Sequence, residues 1–263
     1  MSAGTLAVDR SPRTSSAGGA PSLPQLTRVE LRKSWDTRAG RWLLVVIALA
    51  ALAVVALQVF FDDAENQRFA MYLGGTQLPI GVLLPVLGVL LVTSEWSQRT
   101  ALQTFALVPR RSRVLAAKVC AATLLAVAGV VAAVGVSALG TALTPVLGDT
   151  PANWSTSAAQ LGQVLLVNVV FVLGGLAFGM LLRSSPLAIV TYFALPIAFT
   201  VLVNVVSALD WVRDWLDLST TTMPMYDGDL DAQGWLQVAT STALWVVAPM
   251  VAGWVRIERS EIS

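Results

Sequence analysis

From residue 42 onward, the chain alternates between long apolar stretches and short polar segments. The apolar stretches cover residues 42–61, 78–94, 119–144, 157–182, 187–209 and 236–255, and none contains Asp, Glu, Lys or Arg. A bilayer core of roughly 30 Å needs about 20 apolar residues of helix to cross it. Each stretch therefore predicts one transmembrane helix, the third starting near residue 114. The predicted fold class is all-α, a polytopic membrane protein with six spans.

The segment before the first span predicts a helix of a different kind. Its residues wind into an amphipathic helix that places Leu31 and Trp35 on one side, with basic residues beside them, as expected at a membrane surface. Alternatively, this helix only anchors the chain to anionic lipid. The residues before it are rich in Ser, Gly, Pro and Ala, which predicts disorder. The predicted organisation is a disordered tail over 1–22, an interfacial helix over 23–41, a transmembrane domain over 42–255 and a second tail over 256–263.

Composition and charge give the topology. The chain is 56% hydrophobic and 13% charged, whereas soluble domains carry about 25% charged residues. Fifteen of the 17 basic residues lie on the N-terminal side of the predicted membrane, and ten of the 16 acidic residues lie on the other side. The positive-inside rule then predicts a multi-pass plasma-membrane protein with both termini cytoplasmic. Topology explains the basic side, so no nucleic acid partner is predicted. The arginine-rich composition is typical of a bacterial genome of high GC content.

Residues that the chain lacks exclude several kinds of chemistry. It has no histidine, which removes His-based metal sites and the Ser-His and Cys-His pairs of nucleophilic catalysis. Neither of its two lysines, Lys33 and Lys118, lies in a phosphate-binding G-x-x-x-x-G-K-[ST] loop. We therefore predict no catalytic, cofactor-binding or metal-ligating residue in this chain, and no ATPase site of its own.

The polar residues inside the predicted spans are neutral. Proton-coupled transporters use an ionisable group within the membrane, so that mechanism is disfavoured. A sodium site made of carbonyl and hydroxyl groups stays open. Each neutral polar side chain either lines a transport pathway or forms a hydrogen bond between helices. The pathway candidates are Gln58, Asn168, Thr200 and Asn204.

The connection between the second and third spans contains two motifs. Residues 94–100 read S-E-W-x-x-R-T, and residues 108–118 read V-P-R-R-S-R-V-L-A-A-K. Glu95 and Arg99 lie one helical turn apart and are expected to form an ion pair. Together with the E-L-R-K segment at residues 30–33 and the six-span pattern, these motifs resemble the permease subunits of the type 2 class of ABC transporters. The resemblance covers roughly residues 23–258.

This resemblance implies an ATP-driven exporter in which the present chain is the permease. The loop after span two would be a coupling helix that docks into a separate ATP-binding subunit, where ATP and magnesium bind. Two ATP-binding subunits and a second permease, identical or homologous, are implied, with the pathway between the two bundles in the bilayer. The implied ATPase contact comprises Glu95, Trp96, Arg99, Thr100, Leu102, Gln103 and Phe105. Secondary cytoplasmic contacts are Glu30, Arg32, Lys33, Trp35, Arg183 and Ser184.

Two other functions stay open. A membrane-embedded enzyme without His or metal would need reactive groups that converge inside the spans. An assembly or sensory subunit associated with an ABC-type ATPase would bind other membrane proteins without transporting anything.

The outer connection over residues 210–234 is rich in aspartate. Asp210, Asp214 and Asp217 recur at helical spacing, which predicts one acidic stripe on an amphipathic helix in the outer headgroup layer. Asp227, Asp229 and Asp231 alternate along the loop that follows, as carboxylates around a calcium ion sometimes do. Their spacing lacks the glycine and the distal glutamate of a calcium-binding loop, so a solvated acidic loop is favoured.

Overall fold

The computed structural model describes residues 21–63, 65–97, 111–147 and 150–259. Across these ranges the chain is helical, and the only pairing of extended backbone in them is an isolated bridge between Arg68 and Asn153. The helices are α1 (Leu23–Asp36), α2 (Arg38–Phe61), α3 (Phe69–Ser97), α4 (Arg111–Leu147), α5 (Ala158–Leu182), α6 (Ser185–Val205), α7 (Asp210–Leu216), α8 (Leu218–Thr222) and α9 (Ala232–Arg259). A π-helical turn at Ala243–Val247 interrupts α9.

Six of the described helices, α2 to α6 and α9, are long and apolar enough to cross a membrane. The mean hydropathy of their most apolar windows lies between 1.6 and 2.9. This confirms the predicted all-α class with six helices of membrane-spanning length.

The observed helices extend past several predicted span ends. α3 begins at Phe69 instead of residue 78, and α4 begins at Arg111 and continues to Leu147. The Phe69 amide donates to the Asn153 carbonyl at 2.9 Å, which satisfies one of the free donors of the first helical turn. Hydropathy marks where lipid begins, whereas helical hydrogen bonding continues into the polar layer beyond it. α6 is shorter than predicted and ends at Val205 instead of residue 209.

α3 and α5 form the centre of the bundle. In their most apolar windows 56% and 67% of residues are buried, against 17% in α2 and 11% in α6. Two glycines allow the backbones of α3 and α5 to approach closely. A Cβ at Gly88 would collide with the carbonyl oxygen of Val172, and one at Gly175 would collide with that of Pro85. α2 and α6 consequently lie at the edge of the bundle, with most of their apolar surface exposed.

The loops and helix termini gather at two ends of the bundle. We call the end that holds α1, the last turn of α3, the first turns of α4 and the last turn of α9 the basic end. The opposite end, with residues 62–63, 65–68, 150–157 and 206–231, is the acidic end. At the basic end Arg183 terminates α5 in the left-handed conformation, with a φ of 54°, and α6 follows almost directly.

The aspartate stripe predicted at the acidic end is interrupted. Asp210 and Asp214 lie on α7, where both are paired with Arg213. Asp217 instead lies at the break between α7 and α8, is 1% exposed, and accepts hydrogen bonds from the hydroxyls of Thr200 and Thr220 at 2.7 and 2.6 Å. The prediction that Asp217 shares a solvent-facing stripe was wrong, because the chain turns there and packs inward.

Candidate functional site: a buried charge cluster at the basic end

Four charged side chains from three helices meet at the basic end. They are Glu30 and Lys33 of α1, Glu95 of α3 and Lys118 of α4, and we call them the charge cluster. Lys33 Nζ lies 2.8 Å from Glu30 Oε1 and 2.7 Å from Glu95 Oε1. Lys118 Nζ lies 2.7 Å from Glu30 Oε2 and 3.1 Å from Glu95 Oε1. Each lysine therefore contacts both carboxylates, and the four formal charges cancel.

Most of the charge cluster is shielded from solvent. Lys118 is 1% exposed, and Glu30 and Glu95 are each 4% exposed. Lys118 also donates to the Leu91 carbonyl at 2.7 Å. Buried ions are tolerated only when paired and hydrogen-bonded, because their desolvation costs several kcal/mol each. The cluster meets that condition.

Lys33 closes the cluster on its solvent side, where its side chain is 37% exposed. Burial alone would lower the pKa of Lys33. The carboxylates of Glu30 and Glu95 outweigh that effect and hold its pKa above the ordinary value. Lys33 is therefore held in its charged form.

The local sequence explains why the two charged residues of α1 both reach the charge cluster. Glu30 and Lys33 are three residues apart and share a helix face with the buried residues Thr27 and Ser34. α1 ends at Asp36, and the hydroxyl of the next residue, Thr37, accepts the Gly40 amide at 3.2 Å and caps α2. This short connection holds α1 against the start of the bundle.

The charge cluster holds both stems of the connection between α3 and α4. Glu95 lies in the last turn of α3 and Lys118 in the second turn of α4, on either side of residues 98–110, which lie outside the described residues. α1 bridges the two stems through Glu30 and Lys33. The charge cluster therefore joins α1, α3 and α4 on either side of this connection.

The predicted residues of the ATPase contact fall into two groups. Arg99, Thr100, Leu102, Gln103 and Phe105 lie outside the described residues, and so does the predicted pairing of Glu95 with Arg99. Glu95 is described, and its carboxylate points into the protein toward the two lysines. Trp96 is half-buried and packs against the core. That these residues contact an ATPase stays a prediction.

The predicted secondary contacts are also divided between surface and interior. Arg32 pairs with Asp36 at 3.1 Å, with 80% of the arginine side chain exposed, and Trp35 is 61% exposed. Both belong to the open face of α1. Glu30 and Lys33, in contrast, belong to the charge cluster.

Arg183 links the α5–α6 turn to the end of α3. Its guanidinium lies 4.7 Å from the centre of the Trp96 ring and donates to the Arg256 carbonyl at 2.6 Å. Burial, together with the positive charges of Arg256 and Arg111, lowers the pKa of Arg183. Ser184 precedes α6 at its N-cap position.

The four pathway candidates are all hydrogen-bonded within the chain. Gln58 donates to the Met71 carbonyl of α3 at 3.1 Å, and Asn168 donates to Gln77 Oε1 at 2.8 Å. Thr200 donates to Asp217 as described above, and Asn204 donates to the Thr200 carbonyl at 2.8 Å. Gln58 and Asn168 thus form hydrogen bonds between helices, whereas Thr200 bonds Asp217 at the break between α7 and α8, and Asn204 bonds within its own helix. A role in lining a pathway stays a prediction.

Sequence reasoning did not include Lys118 among the site residues. It counted Lys118 as one more basic residue of the cytoplasmic loop, but α4 begins at Arg111 and carries Lys118 into the bundle. A signal was present, since Lys118 follows the apolar run Val114 to Ala117 and precedes another. A cation between two apolar segments of one helix requires a buried partner.

No protein-family model matches the chain, and no curated protein matches its sequence. The case for a function therefore depends on the residues themselves.

Proposed function

We propose that this chain is the membrane-spanning permease subunit of an ATP-driven exporter, coupled to a separate ATP-binding subunit. The permease acts as a dimer, with an identical or homologous second copy, and two ATP-binding subunits bind ATP and magnesium on the cytoplasmic side. The basic end faces the cytoplasm. The motifs at residues 94–100 and 108–118, together with six helices of membrane-spanning length, support this assignment.

The proposal rests on one observation. The charge cluster joins the last turn of α3 to the first turns of α4, on either side of residues 98–110. If a soluble subunit moves this connection, the motion must reach the membrane helices. It would not reach them if the last turn of α3 and the first turns of α4 were flexible. Here the stems are fixed by buried ion pairs, and removing one partner of such a pair costs about 3–5 kcal/mol. Motion of the connection is therefore passed to α1, α3 and α4 together.

The positions of the two lysines also support the hypothesis that the energy for transport comes from another subunit. Both lysines of the chain belong to the charge cluster, where their ammonium groups contact carboxylates. Neither is available to bind a nucleotide phosphate, as the lysine of a phosphate-binding loop must be. This supports the proposal that ATP binds to the partner subunit.

Site-specific cross-linking tests the contact. A photoreactive amino acid at Gln103, within the connection, is expected to capture a protein carrying a phosphate-binding loop when the chain is expressed in its native membrane. The same amino acid at Ser155, at the acidic end, is the matched control and should capture no such protein. Equal capture at both positions, or no ATP-binding protein at Gln103, contradicts the proposed docking.

The remaining alternative, a non-transporting assembly or sensory subunit, is separated by a second measurement. Vesicles that contain the chain and the captured ATP-binding subunit are screened for ATP-dependent movement of amphipathic compounds. Cross-linking at Gln103 without any ATP-dependent flux would favour the assembly role, whereas flux that requires hydrolysable ATP supports the exporter.

A further inference from the structure

A half-open cavity of about 180 Å³ lies at the side of the bundle between α5, α6 and α9, with Gly81 of α3 also in its wall. Its wall contains five aromatic rings, together with small and aliphatic residues. α8 contributes Leu218 and Ser219 at the acidic end of the cavity. The rings belong to Phe171, Phe178, Tyr192, Phe193 and Trp245.

The polar atoms of this aromatic wall have partners elsewhere. The Tyr192 hydroxyl donates to the Phe171 carbonyl at 3.2 Å, and Trp245 Nε1 donates to the Leu216 carbonyl at 2.7 Å. The rings therefore present apolar faces and edges to the cavity. For comparison, an enclosed apolar cavity of about 150 Å³ takes a benzene molecule. The present cavity is large enough for one substituted ring.

Backbone irregularities surround the cavity. The π-helical turn at Ala243–Val247 places Trp245 and Val246 in the wall, and Pro196 interrupts the hydrogen bonding of α6 beside it. π-helical turns forgo regular α-helical bonding and are frequent at functional sites. Gly174 also keeps the space open, since a Cβ there would lie 3.1 Å from the Tyr192 ring.

The cavity is covered at the acidic end by a segment held through polar contacts. Asp217, directly before α8, accepts the Thr200 hydroxyl of α6 at 2.7 Å, and the hydroxyls of Thr221 and Ser241 lie 2.7 Å apart. Trp245 contributes to both structures, because its ring lines the cavity while its Nε1 bonds the last carbonyl of α7. A ligand that moves the Trp245 ring would therefore act on the covering segment.

We propose that this aromatic cavity binds a ring-bearing apolar group, such as the aromatic part of an amphipathic small molecule. The edge-to-face arrangement of Tyr192 with Phe178 at 5.8 Å and with Phe193 at 4.9 Å favours a further ring over a lipid acyl chain. That the ligand is the exported molecule rests on the proposed function, whereas binding itself does not.

The chain contains a matched control cavity. A second space of about 180 Å³ lies between α2, α3 and α4, and its wall is aliphatic, with Ile47, Leu84, Leu125 and Val136 among its residues. The two cavities have equal volume but different wall chemistry. Stronger binding to the aromatic cavity would therefore show that the rings attract the ligand. Equal binding to both cavities would show that the ligand needs only a space of this volume.

Photolabelling of the full chain in lipid vesicles tests the proposal, without any ATP-binding subunit. A phenyl diazirine is expected to label peptides of the aromatic cavity about fivefold more than those of the aliphatic cavity, the preference that one ring contact gives. Excess toluene should suppress the labelling, and excess nonane should not. Equal labelling of both cavities overturns the proposal. The proposal is also overturned if an alkyl diazirine labels the aromatic cavity as strongly as the phenyl diazirine does, because the cavity would then accept an acyl chain equally well.

Variants extend the test. Gly174→Ala places a methyl group against the Tyr192 ring and should lower phenyl labelling about fivefold. Gly129→Ala, in the wall of the aliphatic cavity, should leave it unchanged. If Gly174→Ala does not fold, Ile197→Trp fills the cavity from a position that is 60% exposed. Unchanged labelling in a folded filling variant contradicts the site. A negative result in this experiment does not affect the cross-linking test at Gln103. The two proposals can therefore be refuted independently.

Discussion

Replacing Lys118 with methionine should remove the structural basis of the charge cluster. Lys118 Nζ lies 2.7 Å from Glu30 and 3.1 Å from Glu95. At an effective dielectric constant of about 20 these contacts correspond to gross attractions of about 6 and about 5 kcal/mol. Desolvation of the ions offsets much of this, so the expected loss of unfolding free energy is about 3–5 kcal/mol. Methionine matches the lysine side chain as far as Cε, so the change removes the ammonium group while preserving most of the packing.

The assay is reversible unfolding of the purified chain in mixed micelles, followed by circular dichroism. Arg32→Met is the matched control, because Arg32 lies at the same end of the bundle but its pair with Asp36 is largely exposed. Exposed pairs contribute little, so this control should unfold with the parent. A Lys118→Met variant that also unfolds with the parent would refute the reasoning.

A double-mutant cycle then isolates the contact between Lys118 and Glu95. Lys118→Met leaves the charge cluster with two carboxylates and one lysine, whereas Lys118→Met with Glu95→Gln restores a neutral cluster of one lysine and one glutamate. The double variant should be less destabilised than the two single effects added together, by at least about 1 kcal/mol. Additive effects would indicate that the two side chains do not interact.

Three further predictions concern other contacts. Because the pKa of Lys33 is raised in the fold, its contribution is complete below its unfolded pKa of about 10.4 and is lost as the pH rises above it. The difference in unfolding free energy between the parent and Lys33→Met should thus shrink between pH 9 and pH 12, and a constant difference contradicts this. Gly175→Ala should destabilise by about 1–3 kcal/mol because the methyl group meets the α3 backbone. Gly135→Ala, with open space around the new Cβ, should be neutral or stabilising in the same unfolding assay, and equal effects would contradict the close approach of α3 and α5. Thr200→Val removes one of two hydroxyl donors to buried Asp217 and should cost about 1–3 kcal/mol, with faster amide exchange in α8; unchanged exchange would refute this.

The six helices were predictable because lipid imposes a constraint that is visible in the sequence. A chain that crosses hydrocarbon must satisfy its backbone within each helix and exclude charge from the middle of each span. Each of the six apolar runs, from 42–61 to 236–255, is long enough for a spanning helix and contains no charged residue, so both requirements can be seen within the run itself. Helix ends were less predictable, since α3 starts at Phe69 through a contact with Asn153, which no local pattern shows.

The charge cluster depends on contacts that the sequence does not display. Lys118 and Glu30 are separated by 88 residues, and their meeting depends on how α1 turns back against the ends of α3 and α4. The motif around Glu95 indicated the correct region but suggested an outward-facing carboxylate. The sequence shows that a charge ends a span, whereas its direction is set by the tertiary packing of three helices.

The aromatic cavity was missed for a related reason. Its rings occur on α5, α6 and α9, at positions that sequence reasoning treats as ordinary apolar residues of three spans. Trp245 lies in a π-helical turn and donates to the Leu216 carbonyl, 29 residues away, and no residue type marks such a turn.

The central claim is that an ATP-binding subunit drives this bundle through the stems held by the charge cluster. The most direct test is ATP hydrolysis by the subunit captured at Gln103, measured with and without the chain in lipid vesicles. The account predicts that the parent chain changes the hydrolysis rate, and that Lys118→Met still cross-links through Gln103 but abolishes the change. A hydrolysis rate that the parent chain leaves unchanged, or that Lys118→Met changes as much as the parent chain does, would contradict it.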